Sequence, residues 1–153
     1  MKKILIVLLL LLIVLLGQAN VDAGSGSRTE MVPIFTTNYR MSETLTNYPF
    51  FPVYREVDSE APITSAIKTL LRIEFTESEK GFESEWSENK NVQLVGVNLQ
   101  DKLLTIKLSD PHRFTSGGSY KATSLKKQLK MTVLQFSKVE KVQFEGPEDL
   151  FQP

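Results

Sequence analysis

The sequence contains no cysteine and only one histidine, His112, among its 153 residues. The lack of cysteine excludes disulfide bonds, thiolate zinc sites, cysteine nucleophiles and a lipid anchor on an N-terminal cysteine. One histidine is too few for most histidine-based metal sites. We therefore expect neither a metal ion nor another cofactor.

The sequence also lacks an excess of charge of either sign. Lys and Arg together number 18, as do Asp and Glu, so the net charge is zero. The total charge therefore gives no indication of a nucleic-acid partner, and any electrostatic function must lie in a local patch. Hydrophobic residues make up 41% of the chain, which is enough for one domain with a sizeable core.

One long hydrophobic run stands at the N-terminus. Lys2 and Lys3 precede an unbroken apolar stretch from Ile4 to Leu16. As a helix this stretch would span about 20 Å, less than the roughly 30 Å of a hydrocarbon core. We therefore predict a signal peptide over residues 1–23, cleaved after Val21-Asp22-Ala23, with Gly17-Gln18-Ala19 as a second candidate site. The mature protein is then exported, and contacts a membrane only if this segment stays uncleaved.

The remaining chain is predicted to form one domain. Residues 24–30, rich in Gly and Ser, form a flexible linker. Residues 31–147 hold the domain, and residues 148–153 form a loose C-terminal tail.

The stretch from Val92 to Leu108 predicts a hairpin around which the domain is organised. Leu104, Ile106 and Leu108 alternate with polar residues, so one face of the second strand is apolar. Val95, Val97 and Leu99 alternate similarly in the first strand, with Gln100 to Lys102 as the turn. Leu94 lies out of this alternation, which indicates a bulge or a partly two-sided burial near Gly96.

Two helical patterns flank the hairpin. The first is predicted from Ser59 to Phe75, with Pro62 in its first turn, and the second from Tyr120 to Phe136, with Ser119 as N-cap. Apolar residues recur at three- and four-residue spacing in both. The first stripe comprises Ile63, Ala66, Ile67, Leu70, Leu71 and Phe75. The second comprises Ala122, Leu125, Leu129, Val133 and Phe136.

Three further strands complete the pattern. Met31 to Tyr39 and Tyr48 to Val57 are predicted to pair with one another, and Val139 to Phe144 closes the domain. The fold class is therefore α+β, with a two-layer β-α-β-β-α-β core and an additional N-terminal strand. Two helices cover one face of a mixed sheet, since each element has one apolar side to bury.

A set of short motifs resembles the GerMN domain of bacterial sporulation and spore-germination proteins. The motifs are Arg55-Glu56-Val57, Leu70-Leu71, Lys107-Leu108-Ser109, Thr132 to Phe136, and V-x-K-V-Q-F from Val139 to Phe144. Phe114 and Gly117-Gly118 fall between them. The resemblance covers Pro33 to Pro147 and implies an exported role in the cell envelope, linked to sporulation or germination, with no established catalytic chemistry.

Several residues carry candidate chemistry, each with a structural alternative. His112, Asp110, Ser109, Ser116 and Ser119 contain the residue types of a Ser/His hydrolase, although a surface turn explains the same string. Gly117-Gly118-Ser119 could bind an anion, or simply lead into the helix. Trp86, with Phe82 or Tyr120, could stack on a wall glycan, or pin a loop to the core.

Two charged segments are candidate interaction patches. A basic patch lies on the second helix and just after it, and an acidic segment precedes the hairpin. The basic residues are Lys121, Lys126, Lys127, Lys130, Lys138 and Lys141. The acidic residues are Glu74, Glu77, Glu79, Glu83, Glu85 and Glu88. Each can be an ordinary solvated surface. A calcium site is disfavoured because the Asp/Asn-Gly pattern of an EF-hand loop is missing.

The sequence therefore predicts a non-catalytic binding or scaffold module in the cell envelope. Its partner would be an envelope protein or a second copy of the chain. A module that binds peptidoglycan or another wall glycan is the first alternative, and a Ser/His hydrolase is the less favoured one.

Overall fold

The computed structural model describes residues 28–38 and 50–153. The predicted signal peptide and most of the predicted linker lie outside these residues, as does the segment from Arg40 to Thr46 between the first two predicted strands.

The first two strands form an antiparallel pair, as predicted. β1 spans Thr29–Asn38 and β2 spans Phe50–Asp58, and Thr29 pairs with Asp58 at one end and Thr37 with Phe50 at the other. Val32 and Ile34 of β1 are buried. Because β1 begins at Thr29, the last two residues of the predicted 24–30 linker belong to this strand.

The first helix, α1, spans Pro62–Leu71 and begins with proline at its first turn. Its predicted apolar stripe is buried from Ile63 to Leu71. The predicted end at Phe75 is wrong by four residues because the helix is capped earlier. Asn89 donates a hydrogen bond from Nδ2 to the Leu71 carbonyl at 2.9 Å, and Arg72 leaves the helical conformation.

The segment between α1 and the hairpin forms two short 3₁₀ turns and a short strand. The turns are Glu77–Glu79 and Glu85–Glu88. Strand β3, Phe82–Glu83, pairs with Thr37 and Asn38 at the end of β1. Trp86 is fully buried and Phe82 packs against the core, which confirms that these two aromatic residues pin the loop.

The predicted hairpin is confirmed. β4 spans Gln93–Gln100 and β5 spans Leu103–Ser109. Asp101 and Lys102 in the turn both have positive φ, 49° and 64°, which is the conformation that matches the twist of a two-residue hairpin. The register shifts between Leu94 and Gly96. This bulge places Leu94 on the core and leaves Val95 58% exposed, so the predicted apolar position of Val95 is wrong.

The second helix, α2, spans Ser119–Leu134. Ser119 is its first residue and not its N-cap, because Gly118, with φ of 86°, holds the cap position and its carbonyl accepts from the Ala122 N–H. Phe136 lies beyond the helix but packs on the core. The last strand, β6, spans Lys141–Glu145 and runs parallel to β5.

The α+β class and the order of elements are confirmed, and the strands divide between two sheets. Their orders are β2-β1-β3 and β4-β5-β6. Helix α2 lies along the edge of β1 that faces away from β2: Thr132 Oγ1 accepts from the Phe35 N–H at 3.1 Å, and Gln135 donates to the Pro33 carbonyl at 2.6 Å. One core, shared by both sheets and both helices, fills the space between them.

The C-terminal tail packs against this core, so the prediction of a loose tail is wrong. Phe151 is 8% exposed, and its ring centroid lies 5.1 Å from that of Phe144 and 6.4 Å from that of Trp86. The Gln152 carbonyl accepts from the Gly117 N–H. Gly146 allows this return, since a Cβ there would lie 2.8 Å from the Leu108 carbonyl oxygen.

Candidate functional site

The residues of the predicted Ser/His site do not form a catalytic arrangement. Asp110 is buried, and its carboxylate accepts from the Phe114 N–H, the Thr115 N–H and the Thr115 hydroxyl at 2.7 to 2.8 Å. His112 is exposed. Nothing links it to Asp110 in the part of the chain that is described. Asp110 therefore organises the loop, which agrees with the structural alternative.

The predicted anion site before α2 is likewise engaged in the fold. Gly117 and Gly118 have positive φ, 98° and 86°. The Gly117 N–H bonds the C-terminal tail, so it is not available to an anion. These glycines turn the chain into α2.

Glu79, in the predicted acidic patch, is a structural residue. Its carboxylate accepts from both guanidinium nitrogens of Arg55, at 2.6 and 2.8 Å, and from the Thr76 N–H at 2.9 Å. The hydrogen bonds from Arg55 lower the pKa of Glu79 from 4.5 to about 2, against a partial opposing effect of burial. Arg55 also donates to the Glu74 carbonyl at 2.8 Å. This ion pair fixes the start of the loop to β2.

Glu85 joins a buried polar cluster that the sequence did not reveal. Ser124 and the Nε2 of Gln128 each donate to its carboxylate at 2.9 Å. Ser84 donates to the Oε1 of Gln128 at 2.5 Å and accepts from the Trp86 N–H. We name Ser84, Glu85, Ser124 and Gln128 the polar cluster. It fastens the loop to α2.

The other four acidic residues, Glu74, Glu77, Glu83 and Glu88, are exposed. The predicted acidic patch is thus split between two structural residues and four surface ones.

Trp86 cannot stack on a glycan from its buried position. It has no exposed surface, and its indole N–H donates to the Leu125 carbonyl at 3.2 Å. Its ring lies 5.9 Å from that of Phe114. Tyr120, the other predicted stacking residue, is 51% exposed.

The six lysines of the predicted basic patch point in different directions. Lys121 lies over the Phe114 ring, with Nζ 4.1 Å from the centroid. Lys126 lines a cleft beside β6 together with Glu145 and Glu148. Lys127 lines a different cleft. Lys130 is exposed between the two, one helical turn after Lys126 and Lys127, while Lys138 and Lys141 follow the helix.

A second cleft, of about 340 Å³, lies beside Lys127. It is lined by Phe50 at the start of β2 and by the exposed side of α2 from Ser119 to Lys127. Tyr120 separates this cleft from another that Thr37, Glu83 and Glu88 line. The N-terminal half of α2 therefore offers an aromatic ring, hydroxyls, a lysine and nearby carboxylates.

The strand pair carries an apolar outer face that the sequence did not predict. Met31, Pro33 and Phe35 alternate with the buried Val32 and Ile34, so they point away from the core. Cross-strand partners share a face, which adds residues from β2. We name this set the outer face: Met31, Pro33, Phe35, Phe50, Pro52 and Tyr54.

The sequence carried a signal for the outer face and only an ambiguous one for the polar cluster. Apolar residues occupy both faces of Met31 to Phe35, which indicates a strand that is apolar on two sides. Ser124, Gln128 and Thr132 recur every four residues beside the apolar stripe of α2. Such a row of polar side chains can be buried only where hydrogen-bond partners lie opposite it.

Within residues 28–38 and 50–153, no three Asp, Glu or His side chains come together to hold a metal ion. None of the helices in that part of the chain is long and apolar enough to cross a membrane.

Comparison with solved structures shows the fold. The structure of the tandem GerMN domains of the sporulation protein GerM from Bacillus subtilis matches with a TM-score of 0.59 and 15% identity, over 84% of this chain and 43% of that one. The chain thus spans less than half of the tandem structure. The first GerMN domain of GerM alone matches with a TM-score of 0.54 and 14% identity, over 78% of this chain and 84% of that one.

The comparison of sequences shows the family. No curated protein matched the chain. The family model described as "Germane: Sporulation and spore germination" matches residues 22–146, which is most of the chain and includes every helix and strand of the described residues. The chain belongs to this Germane family of sporulation and spore germination domains.

Proposed function

We propose that the protein is an exported, non-catalytic binding or scaffold module of the bacterial cell envelope, with a role in sporulation or germination. Its family and the hydrophobic run from Ile4 to Leu16 support this setting. The occurrence of GerMN domains in tandem in the Bacillus subtilis protein supports their use as modules.

The observation that carries the binding role is the position of Lys127 and Lys130. Both are exposed on α2, and Lys127 lines the same cleft as Tyr120. The polar cluster and the bonds from Thr132 and Gln135 to β1 hold this helix in place. A fixed helix presents charged side chains without an ordering cost to its backbone, which favours recognition of a partner.

Co-purification tests this proposal. Tagged exported protein is compared with the Lys127→Glu/Lys130→Glu variant, and Lys126→Glu is the matched control because Lys126 lines the cleft on the β6 side. We expect the double variant to lose its envelope partner and the control to keep it. An unchanged set of partners in the double variant would mean that this side of α2 is only a solvated surface.

Export is tested separately. N-terminal sequencing of the mature protein should begin at Gly24, or at Asn20 if cleavage follows Ala19. Recovery of intact Met1 from the membrane fraction would show that the segment stays as an anchor.

Binding of a wall glycan is a second candidate, favoured by the cleft of about 340 Å³ that Phe50, Tyr120 and Thr123 line. An exposed ring with nearby hydroxyls suits a sugar. Sedimentation with purified cell walls should retain the wild-type protein and release Tyr120→Ala. Equal retention of the two proteins would rule out this cleft as the glycan site.

A further inference from the structure

Large exposed apolar side chains concentrate on one side of the molecule. Met31 is 57% exposed and Tyr54 58%, both on the outer face, while Tyr120 is 51% exposed and Leu134 40%, both on α2. In the described residues only Val95 is comparable and lies elsewhere. Phe35 and Phe50 of the outer face are half-buried, yet neither is among the described side chains packed on the core. Such clustering marks an interaction surface.

The outer face and the exposed side of α2 form one continuous surface. At one end Phe50 lines the same cleft as Tyr120 and Lys127. At the other end Gln135, directly after Leu134 in sequence, donates to the Pro33 carbonyl at 2.6 Å. Helix α2 therefore lies along the edge of β1, next to the outer face.

The two ends of this surface carry charges of opposite sign. Tyr120, at the start of α2, shares a cleft with Glu83 and Glu88. Lys127 and Lys130 lie about 10 and 15 Å further along the helix axis, at a rise of ~1.5 Å per residue. The surface is acidic near the start of α2 and basic toward its end.

We propose that a second copy of this chain docks on this surface as a two-fold symmetric dimer. A two-fold axis perpendicular to α2 sets the two α2 helices antiparallel, so Glu83 and Glu88 of each copy face Lys127 and Lys130 of the other. A surface that is complementary to itself in this way suits an isologous interface. The inference rests on the proposed binding function and names its partner.

The two parts of the surface have different tasks. Exposed ion pairs each contribute little, so burial of the outer face supplies the affinity. The charges fix the orientation and the rate of encounter. Raising the salt concentration should therefore slow association, because the Debye length shortens from about 10 Å at 0.1 M to about 3 Å at 1 M.

Sedimentation velocity of the exported protein at low salt tests the proposal. Wild type should form a dimer that does not grow further with concentration. Lys127→Glu/Lys130→Glu and Glu83→Lys/Glu88→Lys should each weaken the dimer by more than about tenfold, since each variant sets like charges together. An equimolar mixture of the two variants should form the dimer again, because both charge contacts are then opposite in sign.

The control is Lys107→Glu, because Lys107 is exposed and lies on the second sheet, whereas the outer face belongs to the first. This variant should leave the dimer intact. Met31→Ser/Tyr54→Ser should weaken the dimer at every salt concentration. Thermal unfolding confirms that each variant is folded.

Three results would overturn the proposal: a monomer at all concentrations, assemblies that keep growing, or a mixture that stays monomeric. Binding of a monomer to vesicles of anionic lipid would assign the surface to a membrane instead. A monomer that still loses an envelope partner on lysine reversal would remove self-association and keep the proposed function.

Discussion

Replacing Gln128 by Leu tests whether the polar cluster fastens the loop to α2. Gln128 is fully buried, and its side-chain amide makes hydrogen bonds to Ser84, Glu85 and Ser124 at 2.5, 2.9 and 3.0 Å. Leu fills a similar volume, so the main loss is polar. A buried group left without a partner costs about 1–3 kcal/mol, and a hydrogen bond to a charged group contributes about 1.5–3 kcal/mol. Since Leu gains apolar burial in return, we expect a net loss of about 2–4 kcal/mol.

Urea denaturation measures this loss as a lower midpoint at an unchanged slope. Gln143→Leu is the matched control because Gln143 is exposed on β6, and it should change the stability by less than about 0.5 kcal/mol. Gln128→Glu should destabilise the protein near neutral pH, where it sets a second carboxylate against Glu85. Equal stabilities of Gln128→Leu and Gln143→Leu would refute the structural role of the cluster.

Three other predictions follow from buried or paired side chains. Ile106→Ala should destabilise the protein by about 2–5 kcal/mol, because Ile106 is fully buried; Thr105→Ala should cost much less, and equal losses would mean that the assignment of the β5 faces is wrong. Phe151→Ala should lower the unfolding temperature, and no change on calorimetry would mean that the tail is not part of the core. Because the folded-state pKa of Glu79 is lowered from 4.5 to about 2, its pair with Arg55 stabilises the fold above pH 4.5 and is lost as the pH falls toward 2. Glu79→Gln should therefore cost about 1–2 kcal/mol at neutral pH, discounted for partial exposure, and much less at pH 2; an equal cost at both pH values would contradict this assignment.

The spacing of apolar residues predicted those elements whose buried face can be identified from their own sequence. The alternation of Leu104, Ile106 and Leu108 placed β5, since only one register buries all three. The spacing from Ile63 to Leu71 placed α1 for the same reason. Helix ends were less predictable, because the end of α1 depends on Asn89, which lies 18 residues further along the chain.

The polar cluster could not be predicted because its members gain their partners only in the fold. Ser124 and Gln128 are polar, so the apolar stripe predicted for α2 does not include them. Their burial depends on Ser84 and Glu85, about 40 residues earlier in the chain. The predicted basic patch does not form one surface because consecutive residues of a helix point about 100° apart. Lys126 and Lys127 accordingly line different clefts.

Site-specific photo-crosslinking in living cells tests the binding role most directly. A photoreactive residue replaces Lys127 on the outer side of α2 in one variant and Lys107 on the second sheet in the other; both lysines are exposed. We predict a crosslinked product in the cell envelope from position 127, to a partner or to a second copy, and none from position 107. Equal crosslinking from the two positions, or none from position 127, would contradict a binding module that acts through α2.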